Sequence, residues 1–263
     1  MNKIWAIVRK EWREVFRRKI VLFSVAFLPL LLSTLPIMGL YGIQGASDLS
    51  EMEDLGNMVV FAEELCVGLS ELECGQMLLL QQFMVLFLMI PVMIPVTIAS
   101  YSIVGEKAGR TLEPLLATPI STTQLLVGKS LAAVIPAVAA TLLGFSIFAT
   151  GTAIIASKAV LAQFISPHWL IGILVVGPLL SVAAVSMAVM ISSRVNDPRV
   201  AEQLSALVML PVFAIFFGQL LGAILLNLQL MLIIAAVLLV VDAILLFFAT
   251  QLFQRETILT RWK

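Results

Sequence analysis

Few side chains in this sequence could perform chemistry, and they are far apart. His168 is the single histidine, and Cys66 and Cys74 are the two cysteines, with no spacing typical of a metal site. Asp242 is the one acid within the long apolar stretch 203–254, where a charged side chain is costly and is usually functional or paired. We consider two roles for Asp242: a place on a translocation path, or a protonated or hydrogen-bonded group that fixes helix packing.

A second candidate is a partial nucleotide-binding motif. The residues Val127 to Ser130 match the end of a P-loop, but Thr123 stands where the first glycine is required, and no strand precedes it. We interpret the match as coincidence. The sequence therefore predicts no catalytic residue, cofactor site or metal site in this chain, and no enzymatic activity of its own. An intramembrane enzyme is disfavoured because His168 has no partner nucleophile, metal ligand set or acid pair.

The composition indicates a membrane protein. Hydrophobic residues make up 61% of the 263 residues and charged residues 12%, a ratio that a water-soluble domain could not bury. No repeat or long polar linker divides the chain. The fold predicted is an all-α integral membrane protein with one transmembrane domain over residues 1–263.

The lengths of the apolar stretches predict six membrane-spanning helices. A span needs about 20 apolar residues to cross roughly 30 Å of hydrocarbon. The stretch 203–254 is too long for one helix, so it must fold back near Asn227 and Gln229. The predicted spans 1 to 6 cover residues 20–43, 77–104, 130–157, 169–193, 203–226 and 230–254.

The distribution of Lys and Arg predicts the orientation of these spans. Fifteen of the 16 Lys and Arg residues fall in segments on the side of the N-terminus, and only Lys158 falls on the other side. Because basic residues accumulate on the cytoplasmic side, both termini are predicted to be cytoplasmic.

Two segments outside the spans are also predicted to be helical. Residues 1–19 form an amphipathic helix at the inner membrane surface, with aromatic residues towards lipid and Arg9, Arg13 and Lys10 on the opposite side. Residues 47–75 form an outer helical segment. Within it, Ser70 and Glu73 fit a capping box. A disulfide between Cys66 and Cys74 is possible only if the helix is broken between them, as at Gly68.

Within the spans, Gly218 and Gly222 are spaced for close helix packing. The prolines Pro29, Pro36, Pro91 and Pro95 predict bends in spans 1 and 2.

The inner loop 105–129 is the most informative segment. It reads GEKAGRTLEPLLATPISTTQLLVGK, in which leucines can form one edge of a short helix that ends at Pro119. This loop resembles the signature of type-2 ATP-binding-cassette (ABC) permeases, and the segment Lys10 to Phe16 is similar to the amphipathic opening of that family. The six-span count agrees with the family. Two features depart from it: the order of Gly109 and Arg110, and the position of the long outer segment after span 1.

The resemblance implies a function and a set of contact residues. The chain would be the permease subunit of an exporter in a prokaryotic plasma (inner) membrane, and a short coupling helix between spans 2 and 3 would dock on a separate nucleotide-binding ATPase subunit that holds ATP and Mg²⁺. The implied partners are that ATPase, a second permease copy or a paralogue, and membrane lipids, with no nucleic acid. The implied contact residues are Glu106, Lys107, Arg110, Thr111, Leu112, Glu113, Leu115, Leu116, Thr118 and Pro119.

One alternative function remains open from the sequence. A stand-alone channel or gradient-driven carrier would use polar residues within the spans, and Asp242 is the residue that favours it. The loop 105–129 favours the transporter subunit.

Overall fold

The computed structural model of the chain describes residues 3–17, 19–45, 65–108, 120–195 and 197–252. Every regular element in these ranges is helical, and six helical segments are long and apolar enough to cross a membrane. The predicted all-α membrane fold with six spans is therefore confirmed. We call the end of the bundle that carries the N-terminal helix the inner end, following the orientation predicted from Lys and Arg.

The helix bounds follow the apolar stretches of the sequence. The N-terminal helix is Lys3–Val15, and span 1 is Lys19–Gly45. The remaining elements are span 2 (Glu71–Phe87 and Ile90–Ala108), span 3 (Thr122–Ile155), two short outer helices (Lys158–Phe164 and Pro167–Ile171), span 4 (a π-helical turn Gly172–Val176 continued by Gly177–Arg194), span 5 (Pro198–Ser205, a 3₁₀ turn Ala206–Met209, and Leu210–Leu220) and span 6 (Leu228–Leu252).

Span 2 is the centre of the bundle and the most buried of the spans, whereas spans 5 and 6 are the least buried. Its helix is interrupted after Phe87, because Pro91 has no N–H to donate to the carbonyl of Phe87. Pro95 likewise leaves the carbonyl of Pro91 without its helical donor, and the Ser181 hydroxyl of span 4 donates to that oxygen at 2.8 Å. The proline pair therefore interrupts the helical hydrogen bonds of span 2, and the freed Pro91 carbonyl ties the span to span 4.

Further hydrogen bonds join the spans at other depths. The Ser33 hydroxyl of span 1 donates to the Gly144 carbonyl of span 3 at 2.9 Å. Near the outer end, the Trp169 indole donates to Gln81 Oε1 at 2.9 Å, and both side chains are buried. Such bonds satisfy polar groups that neither water nor lipid could reach.

The turn between spans 5 and 6 differs from the sequence expectation. Span 5 ends at Leu220, and Gly222 follows with φ of 69°, a left-handed conformation that favours glycine and closes a helix C-terminus. The N–H of Ile224 donates to the Gly218 carbonyl at 3.1 Å. The predicted packing motif of Gly218 and Gly222 is therefore wrong, since the second glycine lies in a turn beyond the helix.

The outer segment is described from residue 65 onward, so most of the predicted helical segment 47–75 lies outside the described residues. Span 2 begins at Glu71, earlier than expected, because Ser70 and Glu73 form the predicted capping box. Cys66 and Cys74 form a disulfide with Cα atoms 5.0 Å apart. The chain turns between them at Gly68, whose φ is 78°.

The N-terminal helix packs on the protein itself. Ile7, Val8, Glu11 and Val15 are buried against the inner ends of spans 2 and 3, and the Trp12 indole donates to the Ala132 carbonyl of span 3 at 2.9 Å. The helix was predicted with its cations facing away from the apolar side, but this docking turns Lys10 towards span 2 because a carboxylate of that span lies within reach.

The contact between the N-terminal helix and span 3 depends on the absence of a side chain at Gly128. A Cβ there would lie 2.8 Å from Ile7 Cγ2 and 2.9 Å from Ile7 Cβ. We expect Gly128→Leu to lower the free energy of unfolding by about 1–3 kcal/mol through overpacking, measured by denaturation in mild detergent. Gly42→Leu is the control, because no heavy atom lies within 4 Å of its Cβ position; an equal loss in both variants would contradict the close approach.

Candidate functional site

Four charged side chains meet at the inner end of the bundle, and we call Lys10, Glu11, Glu106 and Lys129 the charge cluster. Lys129 Nζ lies 3.0 Å from Glu11 Oε1 and 2.8 Å from Glu106 Oε2. Lys10 Nζ lies 2.6 Å from Glu106 Oε1 and 3.8 Å from Glu11 Oε1. The cluster thus links the N-terminal helix, the end of span 2 and the beginning of span 3.

The charge cluster is removed from water yet electrically balanced. The side chains of Glu11, Glu106 and Lys129 are 3%, 5% and 3% exposed. A buried charge of this kind is costly unless it is paired and hydrogen-bonded. Two carboxylates face two ammonium groups, and Ser102 adds a hydroxyl that donates to Glu11 Oε2 at 2.5 Å and accepts from Lys129 Nζ at 2.8 Å. The pairing therefore offsets most of the loss of hydration.

Lys10 closes the cluster on its solvent side, where its side chain is about one-third exposed. Burial alone would lower the pKa of Lys10, but the hydrogen bond and the charge of Glu106, with the charges of Glu11 and Glu14, outweigh burial and raise this pKa above its ordinary value. The stabilisation from a raised pKa is complete below the unfolded pKa and is lost only as pH rises through the folded one. Lys10 consequently stays charged near neutral pH.

Two residues of the charge cluster lie at the two ends of the inner loop 105–129. Glu106 lies three residues before segment 109–119, which is outside the described residues. Lys129 lies in the third turn of span 3, whose helix begins after that segment at Thr122 with Ser121 as its N-cap. Ser121 and Gln124 form a capping box at this start, so the helix that carries Lys129 begins at a fixed residue. Any displacement of the loop must act on residues that the cluster holds together.

The structure describes little of the contact set that the sequence resemblance implies. Glu106 is buried in the charge cluster, and the side chain of Lys107 is not described. The other eight residues, Arg110 to Pro119, lie outside the described residues. Their assignment stays a prediction, and Glu106 contacts Lys10 and Lys129 instead of facing outward.

Sequence reasoning missed Lys10, Glu11, Ser102 and Lys129 as parts of a site. One signal was present: Glu11 lies three residues after Val8 and four before Val15, on the apolar side of an otherwise basic helix. An acid at such a position is expected to have a buried cation as partner.

Asp242 lies apart from the charge cluster, on the buried side of span 6 with Ala235 and Ala249. Its side chain is 5% exposed, and neither carboxylate oxygen has a hydrogen-bond partner among the described residues. The hydrogen-bonded packing role considered for Asp242 therefore has no partner within the described structure.

Two comparisons with known proteins complete the description. A family model described as "ABC-2 family transporter protein" matches residues 5–255, nearly the whole chain. No curated protein matches the chain. The matched range includes all but the first two residues of the N-terminal helix, the whole charge cluster and all six spans.

Removal of Lys129 tests how much the charge cluster contributes to the stability of the protein. We expect Lys129→Met to lower the free energy of unfolding by about 3–5 kcal/mol, because two buried carboxylates then share only Lys10. The double variant Glu11→Gln with Lys129→Met should recover much of this loss, since it leaves the close Lys10–Glu106 pair in charge balance. Thermal and denaturant unfolding in mild detergent measure both.

Lys158→Met provides the matched control, because Lys158 is exposed in the short helix after span 3. Its loss should leave stability unchanged. Glu11→Gln is also measured alone. If the double variant loses as much stability as Glu11→Gln and Lys129→Met added together, the residues do not act as one cluster.

Proposed function

This chain belongs to the ABC-2 family of transporter proteins, and we propose that it is the permease subunit of an exporter powered by a separate nucleotide-binding ATPase subunit. The family membership makes it a multi-pass transporter protein. Export, the coupling to ATP hydrolysis, and the assembly with two ATPase subunits and a second permease are our proposal. The location proposed is a prokaryotic plasma membrane.

The observation that supports the coupling is the position of the charge cluster around the inner loop. A loop that receives force from a soluble partner needs a rigid connection to the spans, and a balanced, buried ion network is rigid because its members have no favourable alternative partner. Glu106 connects one end of the loop to Lys10, and Lys129 connects the other end to Glu11. A push on the loop would thus move spans 2 and 3 with the N-terminal helix.

Span 2 then offers a route for this movement into the membrane. Its inner half carries Glu106, and its outer half packs on spans 1 and 5. The two halves meet at the interruption before Pro91, where the chain lacks continuous helical hydrogen bonds. We propose that this interruption is the hinge at which inward and outward arrangements differ.

No ATP or Mg²⁺ site is assigned to this chain in the proposal. The P-loop-like residues Gly128 and Lys129 lie within the helix of span 3, and Lys129 pairs with two carboxylates. A phosphate-binding loop needs free backbone N–H groups and an available lysine. The nucleotide is therefore assigned to the ATPase partner.

The proposal predicts different outcomes for loop and cluster variants. In a pull-down of the tagged chain from native membranes, Glu113→Ala should reduce the ATPase activity that co-purifies several-fold while the unfolding temperature of the chain stays unchanged. Glu106→Ala should reduce both, because it also leaves Lys129 with one fewer partner. Co-purified ATP hydrolysis and thermal unfolding are measured on the same eluates.

Glu14→Ala is the control, because Glu14 is an exposed acid at the edge of the charge cluster, with 56% of its side chain accessible. It should leave both quantities near wild type. Purification of the wild-type chain without any ATP-binding subunit, under several gentle conditions, would count against the proposal as a whole.

The second candidate, a gradient-driven carrier that uses Asp242, predicts that the purified chain alone dissipates an ion gradient. A permease that needs an ATPase partner does not. We expect the purified chain alone in lipid vesicles to leave an imposed proton or sodium gradient intact, and Asp242→Asn to change nothing. Gradient decay is followed with ion-sensitive dyes inside the vesicles. Decay that the wild type produces and Asp242→Asn abolishes would favour the carrier.

A further inference from the structure

A large apolar cavity lies between spans 2, 4, 5 and 6. Its volume is about 530 Å³, within the range of small-molecule sites in proteins. Leu88 forms its wall on span 2 and Ala183 on span 4. Every described residue that lines it is apolar. A polar or charged ligand would find no hydrogen-bond partner among these side chains.

The cavity is open towards the side of the bundle. Span 5 packs on span 2, and span 6 packs on span 4, so the space between spans 5 and 6 is left unfilled. Ile233 and Val237 line the cavity, yet more than half of each side chain is exposed. These residues form the edge of an opening that faces the hydrocarbon of the bilayer.

The length of the cavity suits a hydrocarbon chain. Its lining on span 6 extends from Met231 to Leu245, a distance of about 21 Å at 1.5 Å per residue. One leaflet of a bilayer is about 15 Å deep on its hydrocarbon side. The lining is therefore long enough to lie along a lipid chain of ordinary length.

The outer end of the cavity adjoins a second hollow of about 510 Å³ at the turn between spans 5 and 6. The two hollows share Ile215, Ile233 and Ile234 as a common wall. The second hollow also contains the amide side chains of Asn227 and Gln229, both exposed. No charged side chain is among the described residues that line either hollow. The combined space is thus apolar within the bundle and polar but uncharged at its outer end.

We propose that this space binds one acyl chain of an amphiphilic lipid, with the head group at Asn227 and Gln229. An empty cavity of this size forfeits dispersion contacts along its whole lining, and water would gain no hydrogen bonds in it. A helix face of a second copy could cover the opening, but it would not reach the cavity walls at Leu88 and Ala183, which are 3% and 4% exposed. A lipid chain from the surrounding bilayer fills the cavity with the appropriate chemistry. The site does not depend on the coupling to an ATPase.

A photoreactive fatty acid tests the proposal directly. The purified full chain is placed in phosphatidylcholine vesicles that contain a small fraction of a palmitic acid with a diazirine near the end of its chain. After irradiation, peptide mass spectrometry locates the adducts. We expect adducts concentrated on cavity residues of spans 4, 5 and 6, such as Leu180, Val212 and Leu238.

Two tryptophan substitutions on span 6 supply a matched comparison. Val237 lines the opening and Leu239 does not, although their exposures, 55% and 57%, are nearly equal. Val237→Trp should lower the cavity adducts several-fold, and Leu239→Trp should leave them unchanged. Ala183→Trp, which fills the cavity from span 4, should act like Val237→Trp; if Ala183→Trp fails to fold, the pair on span 6 remains decisive.

Two results would overturn the site. Adducts spread evenly over the lipid-facing surface, with equal yields in the two span 6 variants, would show ordinary annular lipid. An unlabelled cavity, together with a disulfide between two copies that carry Val237→Cys, would show that a second copy covers the opening.

Discussion

Three charged side chains, Glu11, Glu106 and Lys129, are almost completely removed from water, and the inner half of the protein depends on their mutual pairing. The free-energy cost of burying any one of these charges without a partner would be prohibitive. Lys129 pairs with one carboxylate of the N-terminal helix and one of span 2, so the position of that helix is coupled to the position of the span 2 end. The ion network therefore specifies the mutual position of three helices that apolar packing alone would hold less uniquely. Gly128 of span 3 lets the N-terminal helix approach closely, and the Trp12 indole of that helix donates a hydrogen bond to the Ala132 carbonyl of span 3.

The bilayer imposes a second constraint, that backbone and side-chain polar groups be satisfied within the protein. Ser181 meets it at the carbonyl that Pro95 leaves free, and Gln81 meets it at the Trp169 indole. Span 2 takes part in both bonds, so the most buried span is tied to span 4 and to the short outer helix that carries Trp169. Spans 5 and 6 are the least buried of the six spans. The bundle is thus rigid around span 2 and open on the far side, where the apolar cavity lies.

The architecture could be predicted from the sequence because its determinants are local. Apolar length predicted the six spans, and Pro91 with Pro95 predicted a distortion of span 2, whose helix is interrupted there. The capping box of Ser70 and Glu73 was also predicted, although span 2 was expected to begin at residue 77 and begins at Glu71. The charge cluster could not be predicted, because Glu11 and Lys129 are 118 residues apart and neither position indicates its partner. Gly222 was misread because a glycine four residues after another suits both a helix contact and a helix end. The π-helical turn of span 4 has no sequence signal that we recognise.

The order of the cluster residues along the chain has a consequence for how the protein is made. Synthesis proceeds from the N-terminus, so Lys10, Glu11 and Glu106 are all present before Lys129 emerges from the ribosome. Until then the cluster residues already synthesised are two carboxylates, Glu11 and Glu106, and one ammonium group, Lys10. Lys10 can neutralise only one of the two carboxylates. The N-terminal helix can therefore reach its final seat only after span 3 has entered the membrane. Insertion of the third span and closure of the inner end would be a single event in biogenesis.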